Sequence, residues 1–209
     1  MPSSECFERY GLIRHEDKDT VGWYKPSECL WSTATDIKGM VVLNGLYEDM
    51  QDFFIKFLGV RTLTLEMVHD KLLEQATGGA SIPEVKKTIG LLNSYLRDEE
   101  NLPSPKKVIG STAFPVRYPN GAVNLSSLTS GFAIKDRKHL SDMFSGKAKF
   151  LDFEVNDTPQ LEPFLRWTGL EERYLSSCVK EISRLCDDYH RPLTCPDRQV
   201  ARKAYSLLR

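Results

Sequence analysis

Two amphipathic segments joined by a glycine-rich break constrain the fold of this chain more than any other feature. In the first segment, apolar residues recur at helical spacing from Leu65 to Ala76, and Gly78-Gly79 follows as a C-terminal breaker. The second begins with Ser81-Ile82-Pro83-Glu84, where the serine hydroxyl is expected to accept from a free amide while Glu84 reaches back. Its apolar face continues at helical spacing through Val85, Ile89, Leu92 and Leu96. Because the connection is short, the two helices are predicted to form a hairpin.

A different pattern follows this hairpin and predicts a small mixed or antiparallel sheet with flanking helices. Residues 108–109, 113–118 and 122–125 are expected to be strands, and Pro119-Asn120-Gly121 has the sequence of a tight hairpin turn. Residues 132–134 and 148–153 add two further strands, with a helix at 137–144 between them. The fold class is therefore predicted to be α+β, an N-terminal helical part followed by this sheet.

The two ends of the chain have weaker patterns. Residues 1–45 are irregular, with Trp23 and Trp31 on either side of a polar turn and a short strand at 40–43. An apolar stripe in residues 48–58 predicts a helix ended by Gly59, and Thr158-Pro159 predicts another. Residues 174–185 fit helix or strand. A last helix is expected from 194 to 209, and its lack of a C-cap suggests a truncated product or one part of a larger architecture.

Residues 98–105 are acidic and then proline-containing, without periodicity, and are predicted to be a linker. The chain is accordingly divided into an irregular aromatic-rich segment (1–45), a helical subdomain (46–97), the linker (98–105) and an α+β subdomain (106–209).

Composition restricts the environment of the protein. The 209 residues include 28 basic and 29 acidic side chains, a net charge of −1, which disfavours an extended phosphate-binding face. The N-terminus lacks the basic and apolar regions of a signal peptide, and no apolar run is long enough to cross a bilayer. Five cysteines without paired spacing are expected to be free thiols. The protein is therefore predicted to be cytoplasmic or nuclear, not secreted, and without a membrane partner.

No residue is predicted to be catalytic, cofactor-binding or metal-ligating. Cys178, Cys186, His190 and Cys195 form the only cluster with potential metal ligands, but their spacing lacks a C-x2-C half-site. The four histidines lie among charged residues and are expected to be solvated. His69 and Asp70 are not expected to form a dyad, because adjacent helical side chains diverge. Catalytic serine or cysteine motifs and phosphate-binding glycine loops are absent.

A nucleic-acid-binding alternative stays open. A helix hairpin followed by a β-hairpin is compatible with a winged helix, in which Lys86 and Lys87 would face nucleic acid. The helix has few arginines, and Asp98-Glu99-Glu100 lies at its end. Nucleic acid is therefore not the expected partner.

Several stretches of the sequence carry a resemblance to a known family: residues 23–32, 47–54, 58–60, 114–121, 131–134, 151–153 and 164–170. Together they resemble a region of large fungal proteins, related to sacsin and the plant protein NO VEIN, that carry an Hsp90-type (histidine-kinase-like) ATPase module. The resemblance covers roughly residues 20–209. Such an ATPase needs E-x-x-x-N and D-x-G-x-G motifs and a glycine-rich lid, which this sequence lacks. The resemblance therefore implies a segment downstream of the ATPase module, with no ATP-handling residue.

These observations predict a non-catalytic protein-interaction or accessory segment of a chaperone-like ATPase family. It is expected to be a truncated member acting in a fungal gene-cluster context, with an unidentified protein partner and no cofactor. An enzyme of unrecognised mechanism, for example in secondary-metabolite biosynthesis, is the alternative, and a winged-helix-like nucleic-acid binder is the third. An interaction segment is expected to expose an apolar patch, near Trp23 and Trp31 or near Leu207 and Leu208.

Overall fold

The computed structural model describes residues 4–17, 20–32, 37–43, 45–98 and 102–180. Its α-helices are α1 (Ser4–Tyr10), α2 (Leu65–Gly78), α3 (Ile82–Asp98), α4 (Lys106–Gly110), α5 (Lys138–Phe144), α6 (Glu162–Trp167) and α7 (Leu175–Cys178). Its strands are β1 (Ile13–Asp17), β2 (Thr20–Tyr24), β3 (Cys29–Trp31), β4 (Val41–Val42), β5 (Arg61–Thr62), β6 (Phe114–Arg117), β7 (Val123–Ser126) and β8 (Phe150–Leu151). The fold is α+β, with small sheets and flanking helices, as predicted.

The predicted helix hairpin is confirmed as α2 packed along α3. Thr64 caps α2 by accepting from the Met67 amide at 3.4 Å, and Gly79 ends the helix with φ +72°. At the start of α3, the Glu84 carboxylate accepts from the Ser81 amide at 2.9 Å and from the Ser81 hydroxyl at 2.7 Å. The hydroxyl therefore donates to Glu84, whereas the sequence predicts that it accepts from a free amide.

The C-terminal sheet has the strand order β7-β6-β8, and all of its pairs are antiparallel. β6 and β7 form the predicted hairpin around Asn120-Gly121. Residues 132–134 do not form the predicted strand, because Ala133 and Ile134 make only single bridges.

Residues 108–109 are not the predicted strand either, because they lie in α4. The apolar pair there fits either element, and the helix buries Val108 while the Ser111 hydroxyl donates to the Val108 carbonyl at 2.8 Å.

The segment without a periodic pattern, residues 1–45, contains regular structure nonetheless. α1 is followed by an antiparallel hairpin of β1 and β2, in the register Ile13↔Tyr24 to Asp17↔Thr20. The sequence between the two strands, Lys18-Asp19, is neither Asn-Gly nor Asp-Gly, the pairs that most strongly indicate a hairpin, so the sequence does not reveal the pairing of β1 and β2. The helix predicted at 48–58 consists of a 3-10 turn (Glu48–Met50) and a π-helical turn (Phe53–Phe57).

A second sheet, with the order β4-β3-β5 and parallel pairing, lies between two hydrophobic cores. Successive side chains of a strand point to opposite faces. Leu30 accordingly joins the main core, whereas Cys29 and Trp31 join an N-terminal core. That N-terminal core consists of Ile13, Cys29, Trp31, Leu43, Phe54, Leu58 and Val60.

The main core joins the helix hairpin to the C-terminal sheet and α6. Its fully buried members include Val68, Leu72, Val85, Ile89, Leu92, Phe114, Val116, Phe164 and Leu165. The described residues from 4 to 179 belong to one compact unit. In the part of the chain that the structure describes, no helix combines the length and apolar character needed to cross a membrane. The last predicted helix, 194–209, lies outside the described residues.

Candidate protein-interaction surface

The outer face of the β1–β2 hairpin exposes large apolar side chains. Trp23 is 62% exposed, Val21 57% and Leu12 40%, although each belongs to a residue type that folded proteins usually bury. Trp23 and Val21 are two residues apart on β2 and so share a face. Across the hairpin, Arg14 pairs with Trp23 and Glu16 with Val21. We refer to Leu12, Arg14, Glu16, Val21 and Trp23 as the hairpin face.

The opposite side of the hairpin is anchored to the protein. Ile13 is buried in the N-terminal core, and the Tyr24 ring lies across Gly22, where an added Cβ would come within 2.5 Å of the tyrosine hydroxyl. The Tyr47 hydroxyl donates to the Arg14 carbonyl at 2.5 Å. The hairpin face is therefore exposed on a strand pair whose other face is fixed.

The hairpin face combines apolar surface with a compensated charge pair. The Arg14 guanidinium lies 2.7 Å from the Glu16 carboxylate, and both side chains are about half exposed. Tryptophan and arginine are the residue types most enriched in the energetic centres of protein interfaces. A face of this composition is suited to a protein partner rather than to phosphate or a small ligand.

Away from the hairpin face, a cleft of about 480 Å³ lies between the end of α2 and the start of α3. It is lined by Lys38, Lys71, Glu74, Gln75, Gly78, Ala80, Glu84, Lys87 and Thr88. Two of its polar groups are already engaged. The Thr88 hydroxyl donates to the Glu84 carbonyl at 3.1 Å, and Glu84 is held by Ser81. The Ser81 hydrogen bonds lower the pKa of Glu84, so this carboxyl is ionised and is a poor general acid.

The helix hairpin and the C-terminal sheet lie within a region that matches a known protein family. One family description matches residues 66–179, which is more than half of the 209 residues. The chain belongs to this family, a domain of unknown function (DUF8348). Comparison with curated proteins and with solved structures gives no match. The DUF8348 region begins in the first turn of α2 and ends after α7, so the hairpin face precedes it.

Within the DUF8348 region, the two lysines of the winged-helix alternative are directed to different places. The Lys86 ammonium lies 2.5 Å from the Asp152 carboxylate, which is almost fully buried, and Arg117 contacts the same carboxylate at 2.7 Å. Lys87 instead lines the cleft. Lys86 thus makes an internal ion pair that joins α3 to the residues after β8.

His69 corrects two predictions made from the sequence. It is buried rather than solvated, at 6% exposure, and its ring packs edge-on against Trp167 with centroids 6.1 Å apart. Its Nδ1 also lies 3.1 Å from the Asp70 carboxylate, although the sequence predicts no contact. The spacing places His69 on the apolar side of α2, beside Leu65 and Leu72, and this signal outweighs its charged sequence neighbours. Asp70 itself is mostly exposed.

The cysteines show no reactive arrangement among the described residues. Cys178 is exposed and its thiol lies 3.7 Å from the Glu172 carbonyl, while Cys186, His190 and Cys195 lie outside the described residues. Burial, with smaller contributions from Glu28 and Glu8, raises the pKa of Cys29 to about 12. This thiol therefore stays protonated. Over the described ranges, no three His, Cys, Asp or Glu side chains are grouped as metal ligands would be.

Trp31, the second tryptophan of the predicted apolar patch, does not contribute to the hairpin face. It is buried in the N-terminal core and stacks on Phe54, with ring centroids 5.8 Å apart. The sequence does not show which of the two tryptophans is exposed. That depends on the strand face on which each lies, and only the pairing of β1, β2 and β3 defines these faces. The other part of the prediction, Leu207 and Leu208, lies outside the described residues.

Proposed function

We propose that this chain is a non-catalytic protein-interaction segment, and that the hairpin face binds its partner. The observation that carries the proposal is the exposure of Trp23, Val21 and Leu12 on a hairpin whose other side is anchored. Burying Trp23 and Val21 against a partner would remove apolar surface from water, and a central tryptophan is a frequent energetic centre of interfaces.

The biological setting of the proposal comes from the resemblance to sacsin-like and NO VEIN-like fungal proteins. On that basis the chain is an accessory segment of a chaperone-like ATPase family that acts in a fungal gene-cluster context. Its partner is a protein in the cytoplasm or nucleus. The exposed aromatic surface supports this role, because exposed tryptophan is a frequent centre of contacts with another protein.

Affinity purification of the tagged chain from its own host, followed by quantitative mass spectrometry, tests the proposal. We expect Trp23→Ser to reduce recovery of a specific partner by about tenfold or more, the loss that follows from removing an interface centre. Met143→Ser is the matched control, because Met143 is an equally exposed apolar residue (58%) on α5. Equal recovery with wild type and Trp23→Ser would contradict the proposal, provided that Trp23→Ser keeps the wild-type circular dichroism spectrum.

A further inference from the structure

Among the strands that the structure describes, β2 pairs only with β1, so the outer edge of β2 is open there. In an antiparallel pair, residues alternate between those that exchange backbone hydrogen bonds and those whose N–H and C=O groups point away from the partner strand. The Arg14 carbonyl accepts from the Tyr47 hydroxyl, so it points away from β2. Arg14 and its partner Trp23 therefore form a non-hydrogen-bonded pair.

The same alternation gives the direction of the backbone N–H and C=O groups of Val21. Glu16↔Val21 lies two residues along the ladder from Arg14↔Trp23, so it is also a non-hydrogen-bonded pair. The N–H and C=O groups of Val21 and Trp23 thus point outward from β2. Among the described residues, neither of these residues makes a backbone hydrogen bond outside the hairpin. Such a row of unpaired groups is a template for another extended strand.

The two outward-facing residues are complementary to a second copy of themselves. When β2 is placed antiparallel to a second β2 with Gly22 opposite Gly22, Val21 lies opposite Trp23 of the second copy. Two backbone hydrogen bonds then form at each of the two Val21–Trp23 pairs, in the hydrogen-bonded positions of the new ladder. The exposed tryptophan of each copy contacts the exposed valine of the other on the hairpin face, an aromatic and β-branched cross-strand pair. Gly22 adds no side chain of its own at the two-fold axis, and the Tyr24 ring lies across it on the face opposite the hairpin face.

We propose that two copies of this chain pair edge to edge through β2, forming a two-fold symmetric, four-stranded sheet. The proposal rests on the proposed function, since it uses the same hairpin face and names a second copy as one protein that this face binds. Symmetric pairing of identical surfaces is the commonest form of protein self-association. A contact confined to one strand edge and its side chains is small, so the dimer is weak, with Kd on the order of 100 μM.

Sedimentation over a range of concentrations tests the pairing. Wild type is expected to shift from monomer to dimer as its concentration rises through about 100 μM. Val21→Pro removes the outward N–H of β2 but leaves the hydrogen bonds between β1 and β2, and is expected to abolish the shift. Met143→Ser is the control, because Met143 is an exposed apolar residue on α5, outside the hairpin face, and this variant is expected to dimerise like wild type. A wild type that stays monomeric to about 1 mM, or a folded Val21→Pro that still dimerises, overturns the pairing.

Amide hydrogen exchange of wild type tests the register without any substitution. At high concentration, exchange is expected to slow at Val21 and Trp23 and to stay unchanged at Glu16. Slowing at Glu16 instead, or at none of the three, overturns the pairing.

The two proposals fail separately. A monomeric chain that captures another protein through Trp23 overturns the pairing and leaves the proposed function intact. A dimer formed through β2, combined with partner capture that does not depend on Trp23, supports the pairing and contradicts the proposed function.

Discussion

At the scale of single residues, Asp152 shows how one buried charge joins distant parts of the chain. Its carboxylate contacts Lys86 of α3 and Arg117 of β6, and both cations reach solvent at their outer sides. Burial alone would raise the pKa of Asp152, but the hydrogen bonds and positive charges of Lys86 and Arg117 together outweigh it and hold the pKa below the ordinary aspartate value. The carboxyl is therefore ionised near neutral pH and stabilises the folded chain.

We expect Asp152→Asn to lower the free energy of unfolding by about 2 kcal/mol at neutral pH, because two cations lose their shared acceptor. Urea unfolding measures the loss. The pKa of Asp152 is lower in the folded chain than in the unfolded chain, so the ionised carboxyl stabilises the fold. This stabilisation is fully present above about pH 4 and is lost as the pH falls through the folded-state pKa. The free energies of unfolding of wild type and Asp152→Asn should therefore become more similar below about pH 4.

The exposed Asp142 on α5 provides the control for this prediction. Asp142→Asn should leave the unfolding free energy near that of wild type, since surface substitutions usually change it by no more than about 0.5 kcal/mol. A destabilisation by Asp152→Asn that is the same at every pH would contradict the assignment of the ion pair.

At the scale of secondary-structure elements, one polar side chain holds α3 against the start of α6. Asn93 is buried, its amide group donates to the Gln160 carbonyl at 2.8 Å, and its carbonyl oxygen accepts from the Phe164 amide at 3.0 Å. The Phe164 amide lies in the first turn of α6, where no intrahelical acceptor exists. Asn93 therefore satisfies one group of the α6 terminus from another helix.

Asn93→Ala should lower the free energy of unfolding by about 3 kcal/mol, because it leaves a buried donor and a buried acceptor without partners. Chemical denaturation followed by circular dichroism measures this. Ser94→Ala, the neighbouring exposed position on α3, should change stability by less than about 0.5 kcal/mol. If Asn93→Ala and Ser94→Ala lower the free energy of unfolding by equally small amounts, the Asn93 hydrogen bonds do not hold α3 and α6 together.

Local patterns predicted the elements whose sequence signals lie within a few residues. The helices α2 and α3, with their Gly79 and Ser81-Glu84 boundaries, and the β6–β7 hairpin with its Asn-Gly turn are of this kind. The roles of Asn93 and Asp152 depend on partners far along the chain, which no periodic pattern identifies. The burial of His69 differs, because its helical spacing relative to Leu65 and Leu72 does indicate it. For the same reason the sequence pointed to the region of Trp23 and Trp31 without showing which of the two is exposed.

At the scale of the whole molecule, the described residues form two large hydrophobic cores on either side of the β4-β3-β5 sheet and a smaller third core of Leu140, Phe150 and Leu175. The DUF8348 region supplies most of the main core, whereas the N-terminal core supports the hairpin that carries the exposed face. The residues that build the family domain and the residues that form the candidate surface are thus largely separate in sequence. Substitutions on the hairpin face should therefore change binding while leaving the main core intact.

Photo-crosslinking from position 23 shows whether the hairpin face contacts another protein. Replacing Trp23 with p-benzoylphenylalanine keeps a large aromatic side chain on the hairpin face and adds a group that reacts with any protein in contact. Replacing Met143 in the same way provides the control at an equally exposed position. We expect a specific covalent adduct from position 23, with a second copy or another protein, and none from position 143. No adduct from position 23, or equal adducts from both positions, would contradict binding through the hairpin face.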